Sequence, residues 1–223
     1  MTDRTPRIDT VLLDIDGTLL DSVYHHTVAW VRAFASHGHR VPAHRVHRHI
    51  GMGGDKLVPA VAGDDLERVL GDDVRTAWEK EYDAMLEEPA LLPGARELLD
   101  GLRERGLTVV LASSSIPRHA RRAMELLDAE RRSDATATAE DAEESKPDPE
   151  LLETVIERVE ASSSVLVGDS VWDVVAARRA GISTIGLLSG GYGEAELREA
   201  GAAWVFEDPA DLLRSLDDVV DPR

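Results

Sequence analysis

The segment TVLLDIDGTLLDS, residues 10–22, carries two aspartates at the end of an apolar run. The run has the composition of a buried strand, and burying an uncompensated carboxylate costs several kcal/mol. Asp14 and Asp16 are two residues apart, so their side chains point to the same side of an extended backbone. Two acids in this position predict a functional site.

Further carboxylates follow a second predicted strand. Asp169 comes directly after the apolar run SSVLVG, and Asp173 lies four residues later, on the same face of a helix that would begin near residue 171. Carboxylates that converge on one point cannot all remain ionised without a cation. Mg²⁺ prefers oxygen ligands and commonly binds phosphate as well. These aspartates therefore predict a magnesium site.

The remaining polar candidates suit phosphate chemistry. One carboxylate can attack phosphorus, and a second can exchange protons with the leaving group and with water. Thr18 offers a hydroxyl beside the aspartate pair. Ser113 follows a predicted strand and precedes a helix, where hydroxyl and N–H groups bind phosphate; Ser114 and Ser115 are alternatives. Lys146 would supply a compact positive charge to the phosphoryl group.

From residue 93 onwards, short apolar runs alternate with helical patterns. This alternation predicts parallel strands joined by right-handed helical crossovers, and so an α/β fold with a doubly wound parallel sheet. Ligands bind at the carboxyl ends of the strands in such sheets, which is where the candidate residues stand. The predicted strands cover residues 107–114, 133–140, 163–169, 182–188 and 203–208.

Residues 22–91 interrupt this alternation, because their patterns are helical throughout. We therefore expect two domains. Residues 1–20 and 92–223 would form the α/β catalytic core, and residues 21–91 would form an inserted helical cap domain.

The loop GMGGDK, residues 51–56, joins two predicted helices of the insertion. Gly53 and Gly54 would let the backbone approach a substrate closely. Lys56 could then bind a carboxylate or a second phosphate of that substrate. The alternative is a flexible turn with an exposed lysine.

The composition disfavours several kinds of partner. A net charge of −18 over 223 residues argues against nucleic acid and anionic membrane surfaces. We find no apolar stretch as long as a membrane span, no signal peptide and no cysteine, and we expect a cytoplasmic protein that acts on a small molecule. The histidine-rich HRVHRH, residues 44–49, lacks the spacing of familiar ligand pairs and favours a solvated helix face.

Taken together, DIDGT at 14–18, Ser113, Lys146 and GDSVWD at 168–173 resemble the four motifs of the haloacid dehalogenase superfamily. The resemblance covers nearly the whole chain. The inserted helices look like the small helical cap of the branch that contains phosphoglycolate phosphatase and β-phosphoglucomutase. This resemblance implies a doubly wound core with an all-α cap, in agreement with the alternation described above.

The resemblance also implies a role for each acidic residue. By it, Asp14 is the nucleophile and Asp16 is the general acid and base. Asp14, the backbone carbonyl of Asp16, and Asp169 would bind Mg²⁺. Asp173 would hold Lys146 or a metal-bound water from the second shell, where Thr18 would also lie.

The implied function is that of a Mg²⁺-dependent phosphatase, similar to phosphoglycolate phosphatase, which hydrolyses a small phosphorylated metabolite through an aspartyl-phosphate. A β-phosphoglucomutase-like phosphomutase is the first alternative, although such mutases carry a basic residue where this loop has Gly53 and Gly54. A non-catalytic binding protein would be expected to lack a motif residue, and none is missing. Dehalogenases and phosphonate-cleaving relatives lack the acid found here at Asp16.

Overall fold

A parallel β-sheet forms the centre of the computed structural model, which describes residues 8–220. The strands in that range are Thr10–Leu13 (β1), Thr108–Ala112 (β2), Ala135–Ala137 (β3), Ser164–Gly168 (β4), Ser183–Leu187 (β5) and Trp204–Phe206 (β6). They lie in the order β3-β2-β1-β4-β5-β6, and every neighbouring pair is parallel. The chain thus builds outwards from β1 in both directions, which makes the carboxyl end of β1 a topological switch point.

Helices make up most of the rest of the described chain. Those of the insertion are Val23–Ser36 (α1), Ala43–His47 (α2), Gly54–Ala62 (α3) and Asp64–Asp83 (α4). Those that follow are Ala95–Glu104 (α5), Pro117–Leu127 (α6), Ala129–Arg132 (α7), Glu150–Arg158 (α8), Val171–Arg179 (α9), Glu194–Ala200 (α10), Pro209–Arg214 (α11) and Leu216–Val220 (α12). Short 3₁₀ helices occur at Ala139–Asp141 and Leu188–Gly190.

Both faces of the sheet are buried, as the continuous apolar runs require. Along β1, Leu12 packs into a cluster on one face with Val110 and Leu166. Val11 and Leu13 pack into the larger cluster on the opposite face. A strand covered on both faces needs apolar residues at every position, which is why TVLL shows no polar alternation. The predicted doubly wound α/β fold is confirmed.

Helices α1 to α4 have an apolar cluster of their own, which includes Trp30, Phe34, Leu57, Val58 and Val74. Helix α4 packs along both α1 and α3. The insertion is therefore stabilised by burial within itself as well as by its attachment to the sheet.

The chain enters and leaves the insertion through adjoining segments. The amide of Asp21 donates to the carbonyl of Ala90 at 2.9 Å, and Leu92 donates to Leu19 at 2.9 Å. The division into domains at residues 20/21 and 91/92 stays a prediction that this pairing supports. Residues 1–7 and 221–223 of the predicted core lie outside the described residues.

Across residues 8–220, none of the helices combines the length and the hydropathy that a membrane crossing requires.

The apolar cluster of the insertion generates a stability prediction. Phe34 is fully buried in it, so Phe34→Ala should lower the free energy of unfolding by about 3–5 kcal/mol through lost burial and a residual cavity. Val69 lies on α4 with 68% of its surface exposed, so Val69→Ala should change this free energy by no more than about 0.5 kcal/mol. Denaturant titration of both variants measures the difference, and equal losses would contradict the assignment of this cluster.

Candidate active site

The predicted acidic residues meet at the carboxyl ends of β1 and β4. The amide of Asp14 continues the sheet by donating to the carbonyl of Val167 at 2.9 Å, so the backbone holds this aspartate at the strand end. Asp169 directly follows the neighbouring strand β4. The hydroxyl of Thr18 donates to the carboxylate of Asp169 at 3.0 Å, which joins the turn after β1 to the end of β4.

Lys146 links two of these carboxylates. Its ammonium donates to Asp14 at 2.6 Å and to Asp173 at 2.7 Å. All of these side chains are almost fully buried, with 3%, 8% and 1% of the surface of Lys146, Asp14 and Asp173 exposed. Removing Lys146 would leave two buried carboxylates without their shared partner, which is far more costly than the loss of a surface ion pair.

Asp173 is fixed by the start of helix α9. Its second carboxylate oxygen accepts hydrogen bonds from the amide of Ser170 at 3.1 Å and from the Ser170 hydroxyl at 2.6 Å. Ser170 is the N-cap of this helix and Asp173 its third residue, an arrangement known as a capping box. The same geometry that begins the helix therefore orients the carboxylate towards Lys146.

The carboxylates of Asp14, Asp169 and Asp173 carry more negative charge than Lys146 can balance. One oxygen from each lies within 4.8 Å of the others. Burial raises the pKa of Asp14 from 3.8 to about 7, although Lys146 opposes this shift. Burial and the neighbouring Asp173 and Asp14 also raise the pKa of Asp169 well above its ordinary value.

These carboxylates fit a divalent cation. Charges of −3 from the acids and +1 from Lys146 leave a formal charge of −2 in a buried pocket. Grouped carboxylate oxygens without sulfur or imidazole suit a hard cation such as Mg²⁺. The cluster of carboxylates contains Asp173 and does not contain the carboxylate of Asp16. The predicted metal ligand of Asp16 is its backbone carbonyl, not its side chain.

Asp16 has a separate set of partners. Its carboxylate accepts hydrogen bonds from the hydroxyls of Ser22 and Ser115, both at 2.6 Å, and lies 3.2 Å from Nε2 of His26. Burial alone would raise the pKa of Asp16, but the attraction of His26 and these hydrogen bonds lower it well below its ordinary value. The structure thus gives Asp14 and Asp16 opposite electrostatic environments along one short turn.

The turn between these residues depends on one glycine. Gly17 has a φ of +82°, which side chains disfavour, and a Cβ there would collide with the carboxylate of Asp169. The backbone must therefore pass close to Asp169 for Thr18 to reach it.

The three serines after β2 have different surroundings. The hydroxyl of Ser113 accepts a hydrogen bond from the amide of Ser115 at 3.1 Å, and the amide of Ser113 donates to Ala137 at 3.0 Å. Ser114 and Ser115 line the cavity beside Asp14, whereas Ser113 does not. The buried Ser113 shapes the loop that presents the two following serines.

A cavity of about 320 Å³ extends from Asp14, Asp16 and Lys146 towards the insertion. Gly53 and Gly54 line it, as predicted for the loop. Lys56 is not among the lining residues, and its ammonium donates to Glu144 at 2.6 Å. The structure therefore brings the glycines of the loop to the cavity and does not bring Lys56 there.

Sequence reasoning missed His26, which reaches Asp16 from helix α1. The imidazole is stacked on the ring of Tyr82, with centroids 3.9 Å apart and an interplanar angle of 6°. The available signal was weak, since His26 follows Ser22 by one helical turn and both face Asp16. Arg75, which also lines the cavity, gave no signal because it lies in a helix rich in charged residues.

A buried acidic centre at the switch point of a doubly wound sheet is typical of enzymes that bind phosphate and Mg²⁺. Comparison with known proteins agrees, because residues 8–181 match the family described as haloacid dehalogenase-like hydrolase. The chain belongs to this family of enzymes, in the branch that contains phosphoglycolate phosphatases and β-phosphoglucomutases.

Individual relatives cover most of the chain. It is 31% identical over 219 residues to phosphoglycolate phosphatase of Pseudomonas fluorescens, covering 94% of this chain and 79% of that protein. It is 30% identical over 192 residues to validoxylamine A 7′-phosphate phosphatase of Streptomyces hygroscopicus, covering 80% and 84%. The crystal structure of a hydrolase from Pseudomonas syringae superposes with a TM-score of 0.90 at 33% identity, covering 95% and 99%.

The buried carboxylates generate a prediction about cation binding. Without metal, protonation of Asp14 stabilises the fold at low pH, and this contribution is lost as the pH rises from 3.8 to about 7. A cation that binds the ionised carboxylates should therefore raise Tm strongly at pH 8 and weakly at pH 5. Thermal unfolding with and without MgCl₂ measures both shifts.

Asp169→Asn is the matched variant for this measurement, because it keeps the side-chain shape and removes one charge of the group. Its Tm should respond little to MgCl₂ at either pH. Equal Tm increases at both pH values, or an unchanged increase in the variant, would contradict the cation site.

Proposed function

We propose that this phosphatase is Mg²⁺-dependent and hydrolyses a small phosphorylated metabolite through a phosphoryl group carried transiently by Asp14. The main support for this proposal is that Asp14 and Asp16 line one cavity but have different hydrogen-bond partners. Asp14 belongs to a buried acidic group with Lys146, while Asp16 is held separately by Ser22, His26 and Ser115. One carboxylate is thus arranged for attack, and the other for proton transfer.

Asp14, Asp169 and the backbone carbonyl of Asp16 would hold Mg²⁺, and the contact of Asp173 with Lys146 supports it in a second-shell role. When bound, the cation would offset the negative charge of these residues and of the substrate phosphate. Lys146 would meanwhile contribute its positive charge to the transferring phosphoryl group. Its two short contacts keep the ammonium next to the oxygen of Asp14.

In the first half of the reaction, an oxygen of Asp14 attacks phosphorus and the bond to the leaving-group oxygen breaks. That oxygen takes a proton from Asp16. The hydrogen bonds to Asp16 favour its charged form in the free enzyme, so Asp16 must gain a proton when the substrate binds. The negative charge of the substrate phosphate favours this protonation, because it raises the pKa of the carboxyl. His26, 3.2 Å from Asp16, is positioned to exchange that proton.

In the second half of the reaction, Asp16 is in the charged form, which its hydrogen bonds favour. It takes a proton from water, the water oxygen attacks phosphorus, and the bond between phosphorus and Asp14 breaks. Inorganic phosphate leaves and the carboxylate of Asp14 is restored. Ser114, which lines the cavity just before helix α6, is available to bind the phosphoryl oxygens throughout, whereas the hydroxyl of Ser115 donates to Asp16.

The phosphomutase alternative has less support. A side chain at Gly53 would collide with Ser145 and Asp55, and a Cβ at Gly54 would lie 3.1 Å from Trp30. A basic residue of the kind that the mutases carry would therefore collide at Gly53, and at Gly54 it would require Trp30 to shift. A sugar 1-phosphate converted into its 6-phosphate, in place of released phosphate, would favour the mutase.

The division of roles between the aspartates generates the main prediction. Asp16→Ala should retain attack by Asp14 on para-nitrophenyl phosphate, because nitrophenolate departs without a proton. Attack on an alkyl phosphate should be much slower, since an alkoxide needs that proton. Water activation should slow for both esters, so nitrophenol should appear as a burst of one equivalent per enzyme.

Rapid quench followed by intact-protein mass measurement detects the phosphorylated protein in this variant. Asp14→Asn is the control and should show neither burst nor added mass, because an amide is a poor nucleophile. If Asp16→Ala slows both esters by the same factor in a single turnover, Asp16 is not the general acid.

A further inference from the structure

We propose that the leaving group of the substrate is uncharged and bears hydroxyl groups. The enzyme would then prefer the phosphate ester of a neutral polyol to the ester of a hydroxy acid such as phosphoglycolate. This inference rests on the proposed phosphatase function and concerns the part of the cavity that lies between the insertion and the loop before Lys146.

Acidic residues dominate the lining of this outer part. Asp55, Glu79, Glu143 and Glu144 contribute to it, whereas Arg75 is the basic residue found there among the described lining residues. Asp55, Glu143 and Glu144 are exposed, Lys56 pairs with Glu144, and Arg118 lies 3.6 Å from Glu79. A carboxylate on the leaving group would still approach net negative charge, because Glu143 has no basic partner within residues 8–220. Such repulsion weakens the binding of a substrate with an anionic leaving group and does not by itself strengthen the binding of a neutral one.

Arg75 is already engaged by other carboxylates. One of its terminal nitrogens donates to Glu67 at 2.9 Å and to the carbonyl of Gly54 at 3.4 Å, and the other donates to Asp72 at 2.6 Å. Hydrogen bonding to Glu67 raises the pKa of Arg75 above its ordinary value. Because Glu67 and Asp72 already balance its charge, this guanidinium offers little net positive charge to a substrate carboxylate.

Lys56, the basic residue of the loop at 51–56, is engaged by other carboxylates. Its ammonium donates to Glu144 at 2.6 Å and lies 3.5 Å from Asp55, and its side chain does not line the cavity. The hypothesis that Lys56 binds a substrate carboxylate is therefore not supported by its position.

The remaining wall suits the carbon skeleton of a polyol. Trp30 and Trp78 line the cavity and are stacked on each other with centroids 4.9 Å apart. Ile50 and Met52 add further apolar surface beside them. C–H groups of a substrate can pack against this wall while its hydroxyls donate to nearby carboxylates such as Glu143, which makes no hydrogen bond or ion pair through its side chain within residues 8–220.

A series of substrates of similar length tests the charge preference. The probes are 2-phosphoglycolate, 2-hydroxyethyl phosphate and 2-aminoethyl phosphate, whose leaving groups end in a negative, a neutral and a positive group. We expect kcat/KM for 2-hydroxyethyl phosphate to exceed that for 2-phosphoglycolate by about tenfold or more. Equal or higher kcat/KM for phosphoglycolate would overturn the proposal, and a tenfold preference for the amine would overturn it in favour of a cationic leaving group.

A variant tests the explanation through Arg75. Glu67→Gln releases one carboxylate partner of Arg75, so it should raise kcat/KM for 2-phosphoglycolate and leave 2-hydroxyethyl phosphate unchanged. Asp65→Asn is the matched control, because it makes the same charge change on helix α4 at an exposed residue that pairs with Arg68. A rise in both variants would show that general charge, and not Arg75, sets the preference.

The same assays distinguish failure of the proposed phosphatase function from failure of the leaving-group inference. If para-nitrophenyl phosphate and all three esters resist hydrolysis in the presence of Mg²⁺, the proposed phosphatase function is wrong, and this inference is overturned with it. If they are hydrolysed with phosphoglycolate preferred, the phosphatase function stands and the leaving-group inference alone is overturned.

Discussion

The contact of Lys146 with Asp14 and Asp173 is the interaction on which the rest of the structure depends. It places one ammonium between two carboxylates in a pocket that also contains Asp169, with almost no exposure to solvent. Buried charges of this kind reduce stability unless they are balanced, so their presence indicates a use other than folding. The excess negative charge favours a divalent cation, which would also attract an incoming phosphate.

The fold supplies this pocket because it brings distant segments to one edge of the sheet. Asp14 and Lys146 are 132 residues apart in sequence, and Thr18 and Asp169 are 151 residues apart. Strand β1 lies between β2 and β4, so the loops that follow these strands converge at its carboxyl end. The insertion then adds His26 and the aromatic wall from the other side of the cavity.

Local patterns are enough to predict the sheet, the helices between β1 and β2, and the residues at the strand ends. Apolar runs followed by aspartates indicate the ends of β1 and β4, and alternation with helices predicts parallel pairing, but not the order of the strands. Contacts between side chains of distant segments produce no local sequence pattern and could not be predicted in this way. Lys56 donates to Glu144, which lies 88 positions away in the sequence, and no local pattern near Lys56 predicts this contact. The contact between Ser115 and Asp16 depends in the same way on tertiary folding.

We expect the phosphoryl group to pass through Asp14 on its way to water. The stereochemical course of hydrolysis tests it most directly, with an ester made chiral at phosphorus by sulfur and oxygen isotopes and the configuration of the released thiophosphate as the readout. Two successive in-line displacements, by Asp14 and then by water, predict overall retention of configuration. Inversion would mean that water attacks the substrate directly, and would contradict a phosphorylated Asp14.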